Sequence, residues 1–502
     1  MPHPLRRTLC ALLTAAYLLG PATANADAPP PNVLFFAVDD MNDWIGPMGY
    51  TKAITPNMDR LAKRGVTFQN GHTAGVFCAP SRTAIFTGQH ASTTGCYTIQ
   101  YYPQHNPDVI PMQVLFSQAG YATYGAGKIY HHREGFIDPR GWTNFFLRTR
   151  EQRQTGWPLN IWPRDSHILP QPFPHSPFNE GKKITGGLFM EWGEVRNENE
   201  EEMADTVWTN WAAKKVAKKH DQPFFVAVGL YSPHFPNYVP QKYFDMYDRD
   251  AIELPPTIEN DLDDLPERIR RQQTGRMRIH QRLIELDALK DAHHGYLASI
   301  TYADAMLGRV LDALESGPNA ENTIIVLWSD HGYHRGEKNW GKHKLWERTS
   351  NVPFMWAGPG IEQGKSVTAT VSLIDMLPTF VELCGLEDPQ ADDRDGVSLA
   401  PTLGDTTQAQ DRDVLLPGMV PDEYTIMNED WRYIRYRDGE EELYDIRADP
   451  NEWYNLADDP KHRGVISKLR ASAPTSFAEP GLVARREMNL ITEGDQFRWE
   501  PK

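Results

Sequence analysis

Cysteine is scarce: the 502-residue sequence holds four, and Cys10 lies in an N-terminal stretch with the features of a cleavable leader. The other three, Cys78, Cys96 and Cys384, are too few for a disulfide scaffold. One bridge, Cys96 to Cys384, is open to the chain, although Cys384 ends an apolar helical pattern, which favours a buried free thiol. Positive charge is also in deficit. Lys and Arg number 51 against 67 Asp and Glu, for a formal net charge of −16, and loss of a leader containing Arg6 and Arg7 would deepen it. A surface of that sign argues against nucleic acid and anionic membranes as partners, and any anionic substrate would need a locally basic pocket. No apolar run spans a bilayer comfortably. Residues 9–19 are apolar but short, follow Arg6 and Arg7, and precede Ala24-Asn25-Ala26, so residues 1–26 read as a secretory signal. An uncleaved anchor is the competing reading; the polar, proline-rich residues 27–31 favour a new N-terminus. The expected mature protein is exported, periplasmic or extracellular, with no membrane attachment after cleavage. Internal repeats and low-complexity tracts are absent as well.

What is present is a series of short apolar runs, each ending in polar chemistry. Residues 33–38 read as a strand buried on both faces of a parallel sheet, and Asp39 and Asp40 stand at its exit. Residues 121–126 end at Gly127-Lys128, residues 223–230 lead to His234, and residues 323–328 lead to Ser329-Asp330-His331-Gly332. In open α/β sheets ligands bind beyond the carboxyl ends of the strands, which makes these groups candidates for function. Residues 55–65 carry a cap, Pro56 and a terminal glycine, which predicts a short helix. Further helices are expected over 111–119, 202–219, 298–314 and 372–385, a surface excursion leading into helix over 254–291, and another strand over 352–358. Residues 131–202 lose periodicity and accumulate tryptophan and proline, as a binding insertion would. Beyond Pro401 short alternating strands take over, with Asp438-Gly439 marking a hairpin. The expected fold class is α/β. A large, mainly parallel sheet sandwiched by helices (27–400, with 131–202 inserted) would carry a small C-terminal antiparallel α+β subdomain (401–502).

The centre of the pattern is Cys78-Ala79-Pro80-Ser81-Arg82, followed by Thr87-Gly88. Pro80 suits a first helical position, and a thiol just outside a helix start sits where negative charge is favoured. Asp39, Asp40 and Asp330, with no further cysteine nearby, suit a hard divalent cation, calcium or magnesium rather than zinc.

Cys-x-Pro-Ser-Arg with Thr-Gly, together with Val38-Asp39-Asp40, Gly127-Lys128, Pro233-His234, Ser329-Asp330-His331-Gly332, Gly336-Glu337 and Trp340-Gly341-Lys342, resembles the successive motifs of the type I sulfatases. These form a branch of the alkaline phosphatase superfamily. Glu442-Leu443-Tyr444-Asp445 with Asp449-Pro450 and Asn455-Leu456 is similar to that family's C-terminal subdomain, and Gly127-Lys128-Ile129-Tyr130-His131 with Asp330-His331 resembles iduronate-2-sulfatase-like members. The resemblance implies an alkaline-phosphatase-like fold and hydrolysis of sulfate esters of carbohydrate. It implies that a formylglycine-generating enzyme or other sulfatase maturase converts Cys78 to 3-oxoalanine. It implies one calcium ion, with magnesium the lesser choice, held by Asp39, Asp40, residue 78, Asp330 and His331; His331 stands where many arylsulfatases carry asparagine. Hydrated formylglycine would attack sulfur in line, with Arg82 holding the diol and Lys128 and Lys342 neutralising the sulfate oxygens. His234 would protonate the leaving oxygen, and His131, with His132 as its competitor, would take a proton so that sulfate is expelled. Two alternatives stay open: a phosphatase or phosphonate monoester hydrolase of the same superfamily, and a non-catalytic sulfated-glycan-binding protein with Cys78 unconverted.

Overall fold

The structure, a computed structural model, describes residues 29–131, 136–146, 175–180, 190–483, 488–493 and 496–501. The leader (1–26), His132 and most of the 131–202 insertion lie outside the described residues. The architecture is the mixed α/β arrangement expected. Its main sheet runs β1 (Asn32–Val38), β2 (Gly65–Phe68), β3 (Ala122–Gly127), β4 (Asn144–Phe145), β5 (Phe224–Gly229), β6 (Thr323–Ser329), β7 (Phe354–Ala357) and β8 (Lys365–Val367). Across the sheet the order is β8-β2-β7-β6-β1-β5-β3-β4. Only β7 is antiparallel to its neighbours, so the exits of β1, β3, β5 and β6 share one edge.

Alternation along β1 explains why that strand reads as continuously apolar. Leu34, Phe36 and Val38 face one core, against α4 (Ala204–Val216) and α6 (Leu289–Glu315). Val33, Phe35 and Ala37 face the other, with α2 (Cys78–Thr87), α3 (Met112–Gln118) and α7 (Met376–Cys384). Phe35 is the hub of that second layer, with Trp328, Phe225, Phe380 and Phe86 rings at centroid distances of 5.0, 5.7, 5.9 and 6.0 Å. Truncating such a residue to alanine costs about 3–5 kcal/mol.

Several local expectations are corrected. Helix α1 (Pro56–Lys63) is capped at its C-terminus by Arg64; Gly65 already belongs to β2, where a Cβ would lie 1.9 Å from the Trp356 carbonyl oxygen. Sheet packing, not helix termination, requires that glycine. Helix α2 begins at Cys78 itself, so Pro80 is its third residue, where its missing N–H is still one that no helical carbonyl would accept. His293 and His294 lie inside α6, donating to or contacting the Leu289 and Phe244 carbonyls at 2.8 and 2.9 Å, and are structural. The open Cys96–Cys384 bridge is absent: Cys78, Cys96 and Cys384 are all free and buried.

The surface excursion carries α5 (Glu267–Glu285). The C-terminal strands form an antiparallel sheet of β9 (Val414–Pro417), β10 (Tyr424–Met427), β11 (Trp431–Arg435) and β12 (Glu441–Asp445), with α8 (Arg463–Ala471) packed on it. Strand β9 was not anticipated. The Asp438-Gly439 hairpin is present, with Gly439 at φ 89°. A last hairpin pairs Met488–Glu493 with Gln496–Pro501. Among the described residues no helix is long and apolar enough to cross a membrane.

Candidate active site

Four strand exits and one helix start meet at Cys78. Asp39 and Asp40 leave β1, Lys128 leaves β3, the His234 turn leaves β5, and Asp330 and His331 leave β6. Each departure is locally enforced. Gly127 has φ 69°, and a Cβ there would lie 2.1 Å from the Gly229 carbonyl oxygen, so only glycine lets the chain turn as Lys128 enters the site. Asp40 adopts φ 60°, uncommon for a residue with a side chain. It is held there by its N–H donating to Asp330 Oδ1 at 3.2 Å and by Tyr296, whose hydroxyl donates to the Asp40 carbonyl at 2.7 Å. Asp205 accepts from the Tyr231 and Ser232 N–H groups at 2.7 and 2.9 Å, anchoring the turn that carries His234. Ser81 and Thr73 both donate to the Asp330 carbonyl, tying α2 to β6.

Charges of both signs interleave around the thiol. Lys128 Nζ donates to Asp39 and stands 3.6 Å from Cys78 Sγ; Lys342 Nζ donates to Asp40 Oδ1 at 2.7 Å and stands 3.4 Å from Sγ. Arg82, 1 % exposed, donates from Nε to Asp330 Oδ2 at 2.8 Å, from Nη2 to Asp39 Oδ1 at 3.4 Å, and from Nη1 to the Lys128 carbonyl. Burial opposes ionisation of Asp39, but Lys128, His234, Arg82 and Lys342 outweigh it and hold that carboxyl well below its usual range. Burial pushes Asp330 up to about 8, with Arg82 opposing and Asp39 adding to the rise. Burial, then Lys342 and Lys128, keep the His234 imidazole well below its usual range. The thiol of Cys78 is raised, by burial first and Asp39 second, over the pull of the two lysines. The expectation that the helix start favours negative charge on Cys78 is thus overruled, and the thiol as encoded is a poor nucleophile.

The donor atoms also test whether a cation fits. Donor atoms of Asp39, Asp40, Cys78 and His234 lie within 4.8 Å of one another, as do those of Asp39, Cys78, Asp330 and His331. The two groups overlap in Asp39 and Cys78, and together they contain every metal ligand read from the sequence, plus His234. Asp40 Oδ2 is buried without a hydrogen-bond partner. His331 Nδ1 faces the Gly332 carbonyl at 3.0 Å and so carries the proton of the neutral ring. Its Nε2 is then an acceptor that faces Cys78 Sγ at 3.3 Å and also lies 3.2 Å from Asp40 Oδ1 and 3.6 Å from Asp330 Oδ2. Acceptors that face one another in a buried site are satisfied by a proton or a cation between them. The residues therefore fit a divalent metal.

Of the residues predicted, Asp39, Asp40, Cys78, Arg82, Lys128, His234, Asp330, His331 and Lys342 converge. His131 follows Lys128 at the β3 exit with its ring 5.0 Å from that of Phe136, and it is not one of the clustered donors. Sequence reasoning missed Tyr231, whose ring lies 4.2 Å from Lys128 Nζ, and Tyr296, Asp205, Thr73 and Ser81 as supports. Ser81 stands inside the Cys78–Arg82 motif, where its spacing marks it without a role; no spacing signal marks the others, because each reaches the site through the fold.

Comparison with known proteins agrees with this geometry. Residues 31–386 match the family described as Sulfatase, and residues 336–475 match N-sulphoglucosamine sulphohydrolase, C-terminal. A sulfatase of Formosa agariphila is 35% identical over 89% of this chain and 87% of its own length. The iduronate 2-sulfatase of Homo sapiens is 26% identical over 75% of this chain and 73% of its own. The solved phosphonate monoester hydrolase of Silicibacter pomeroyi shares the fold, with a TM-score of 0.70 at 19% identity over 94% of this chain and 99% of that one. The strand exits, the helix-borne Cys78 and these matches together show that the chain belongs to the sulfatase family, as a sulfuric ester hydrolase of alkaline-phosphatase-like fold.

Proposed function

We propose that this enzyme removes sulfate from sulfated carbohydrate after export to the periplasm or beyond, with residue 78 carried as 3-oxoalanine and a calcium ion in the cluster. The observation that supports it most is the pair of ammonium groups, Lys128 and Lys342, at 3.6 and 3.4 Å from Cys78 Sγ among three buried carboxylates. Once converted by a maturase, residue 78 supplies an oxygen nucleophile that a buried, protonated thiol does not. Asp39, Asp40, Asp330 and His331 would hold the cation, which supplies positive charge for oxyanions developing at sulfur.

The remaining work falls to the chain. A bound divalent ion would hold Asp330 ionised beside Arg82, so that three carboxylates face three cations, Arg82, Lys128 and Lys342, and the ion's own charge leaves the pocket positive and attractive to an anionic ester. That resolves the conflict between an acidic molecule and an acidic substrate. Lys128 and Lys342 neutralise the non-reacting sulfate oxygens and orient the ester for in-line attack. Arg82 is a positioning residue that fixes Asp39 and Asp330. His234 donates Nδ1–H to the Phe235 carbonyl, which turns Nε2 to the site; the negative charge of a bound sulfate ester would favour the imidazolium, whose Nε2–H is the proton delivered to the departing sugar oxygen. His131 takes the proton that releases sulfate from residue 78. The carbohydrate assignment draws on the name of the iduronate 2-sulfatase relative and on the aromatic-rich sequence of residues 131–202.

A matched panel of sulfate, phosphate and phosphonate esters, including sulfated oligosaccharides, tests the reading. Turnover of sulfated oligosaccharides above all other esters is expected. Preference for phosphate or phosphonate esters would overturn it in favour of the superfamily's other chemistry, and binding of oligosaccharides without any turnover by 3-oxoalanine-bearing protein would make it a binding protein.

A further inference from the structure

A second basic feature adjoins the reactive end and takes no part in the scheme above. Between α5 and the C-terminal sheet lies a cleft of about 400 Å³ lined by Arg268, Arg276, His343, Lys344, Glu423 and Asp438, among others. Arg268 is neutralised, donating to both Asp438 carboxylate oxygens. Arg276 and Lys344 are not: among the described residues neither comes within 4 Å of a carboxylate, and Lys344 has no hydrogen-bond partner there although only 6 % of it is exposed. Burial, with Arg276 adding to it and the more distant Glu423 and Glu442 opposing, lowers the Lys344 ammonium to about 7, and burial raises Glu423, the remaining acid of the lining. An ammonium and a guanidinium that line one cleft, neither touching a carboxylate, form a place where a bound anion would favour the charged form of both.

The cleft is physically joined to the reaction centre. Arg276 Nη1 donates to the Lys342 carbonyl at 3.0 Å. The His343 ring lies 4.9 Å from that of Phe77, the residue before Cys78. His343 has φ 71°, a conformation that a bulky side chain seldom adopts. That turn sends Lys342 to the thiol while Lys344 lines the cleft two residues later.

We propose that this cleft is a second-anion subsite, in which Arg276 and Lys344 bind a sulfate ester or uronate carboxylate carried by the same substrate beside the sulfate being cleaved. It rests on the carbohydrate reading given above, and it makes the enzyme selective for multiply anionic glycans.

The test reads acetylation of Lys344 by acetic anhydride in the full-length protein, by mass spectrometry. Inorganic sulfate and glucuronate, each against chloride at equal ionic strength, should slow Lys344 about fivefold or more near saturation while exposed Lys219 is unaffected. Protection by sulfate alone assigns the cleft to sulfate esters, and protection by glucuronate alone to uronates. Equal rates in all three media overturn the proposal. Lys344→Gln should raise KM about tenfold for doubly anionic oligosaccharides that the ester panel shows to be turned over, with kcat and hydrolysis of 4-nitrophenyl sulfate unchanged, and Lys344→Arg should restore KM. An unchanged KM in Lys344→Gln also contradicts it. Intact protection with no sulfate ester hydrolysed would instead defeat the functional reading and leave the subsite standing.

Discussion

Arg82 shows how much of the site depends on single buried charges. Its guanidinium joins Asp330, Asp39 and the Lys128 backbone, so it holds three strand exits at once. Removing one partner of a buried ionic group leaves the others uncompensated, typically at about 3–5 kcal/mol. Arg82→Gln is therefore expected to lower unfolding free energy by that order in denaturant titrations, and a loss below about 1 kcal/mol would show that the carboxylates find other partners. Cys78 is the opposite case. It lies at the first position of α2 and contributes one small side chain to packing. Cys78→Ala should abolish sulfate ester hydrolysis with the unfolding midpoint nearly unchanged; retained turnover would end the proposed role. Calcium belongs to the same scale. Occupying Asp40 Oδ2 and the facing acceptors should raise the melting temperature in proportion to the logarithm of calcium concentration, and prior chelation should reduce turnover. Indifference of both melting and rate to chelator would remove the metal from the account.

Among the elements, α1 and α6 offer a pH-dependent contact remote from the site. Asp304, buried on α6, accepts from the Asn57 N–H and side chain and from the Met58 N–H at 2.7–3.1 Å, so it caps α1 from outside. Burial nevertheless raises its carboxyl from 3.8 to about 6. A folded value above the unfolded one means the contribution is fully present below pH ~4 and is lost as pH rises through ~6, by about 3 kcal/mol. The stability of the wild type relative to Asp304→Asn should fall by that order between pH 4 and pH 7, as measured by denaturant unfolding at each pH. Parallel pH profiles for the two proteins would contradict it. The elements also divide by how legible they were. Strands β1, β5 and β6 announced themselves because burial on both faces leaves an unbroken apolar run, and their exits carried the carboxylates into view. Strand β9 did not, because Val414-Leu415-Leu416 is apolar without alternation and is closed at once by Pro417. Gly65 read as a helix stop when its reason is the approach of β7 across the sheet. Lys344 and Arg276 were invisible as a pair. They come together only because α5 folds back over the residues following Lys342, a meeting that no local spacing encodes.

At the scale of the whole molecule, the C-terminal sheet completes the site's wall. Val76, Phe77 and Ala79, around the reactive residue, share one apolar cluster with Val414, Leu416, Ile434 and Tyr444. Arg432 of β11 crosses the boundary, donating to the Leu345 carbonyl at 2.8 Å and Ser350 Oγ at 2.9 Å and pairing with Glu347 and Glu452. Glu442 accepts from Trp346 Nε1 at 2.7 Å across the same seam. So continuous a junction predicts one cooperative unfolding transition for the mature protein by calorimetry, with Arg432→Met lowering the whole transition. Two resolved transitions would mean that the subdomain is an independent unit. The net charge of −16 frames the rest: a strongly acidic molecule places Lys128 and Lys342 at the reactive residue and Arg276 and Lys344 in the adjoining cleft, where the substrate's anionic groups would be recognised. The proposed chemistry turns on residue 78, and mass spectrometry of the peptide that contains it is the direct measurement. A preparation that hydrolyses sulfate esters should yield this peptide with the mass of the aldehyde or its hydrate in place of the thiol. An intact Cys78 thiol throughout an active preparation would contradict the account.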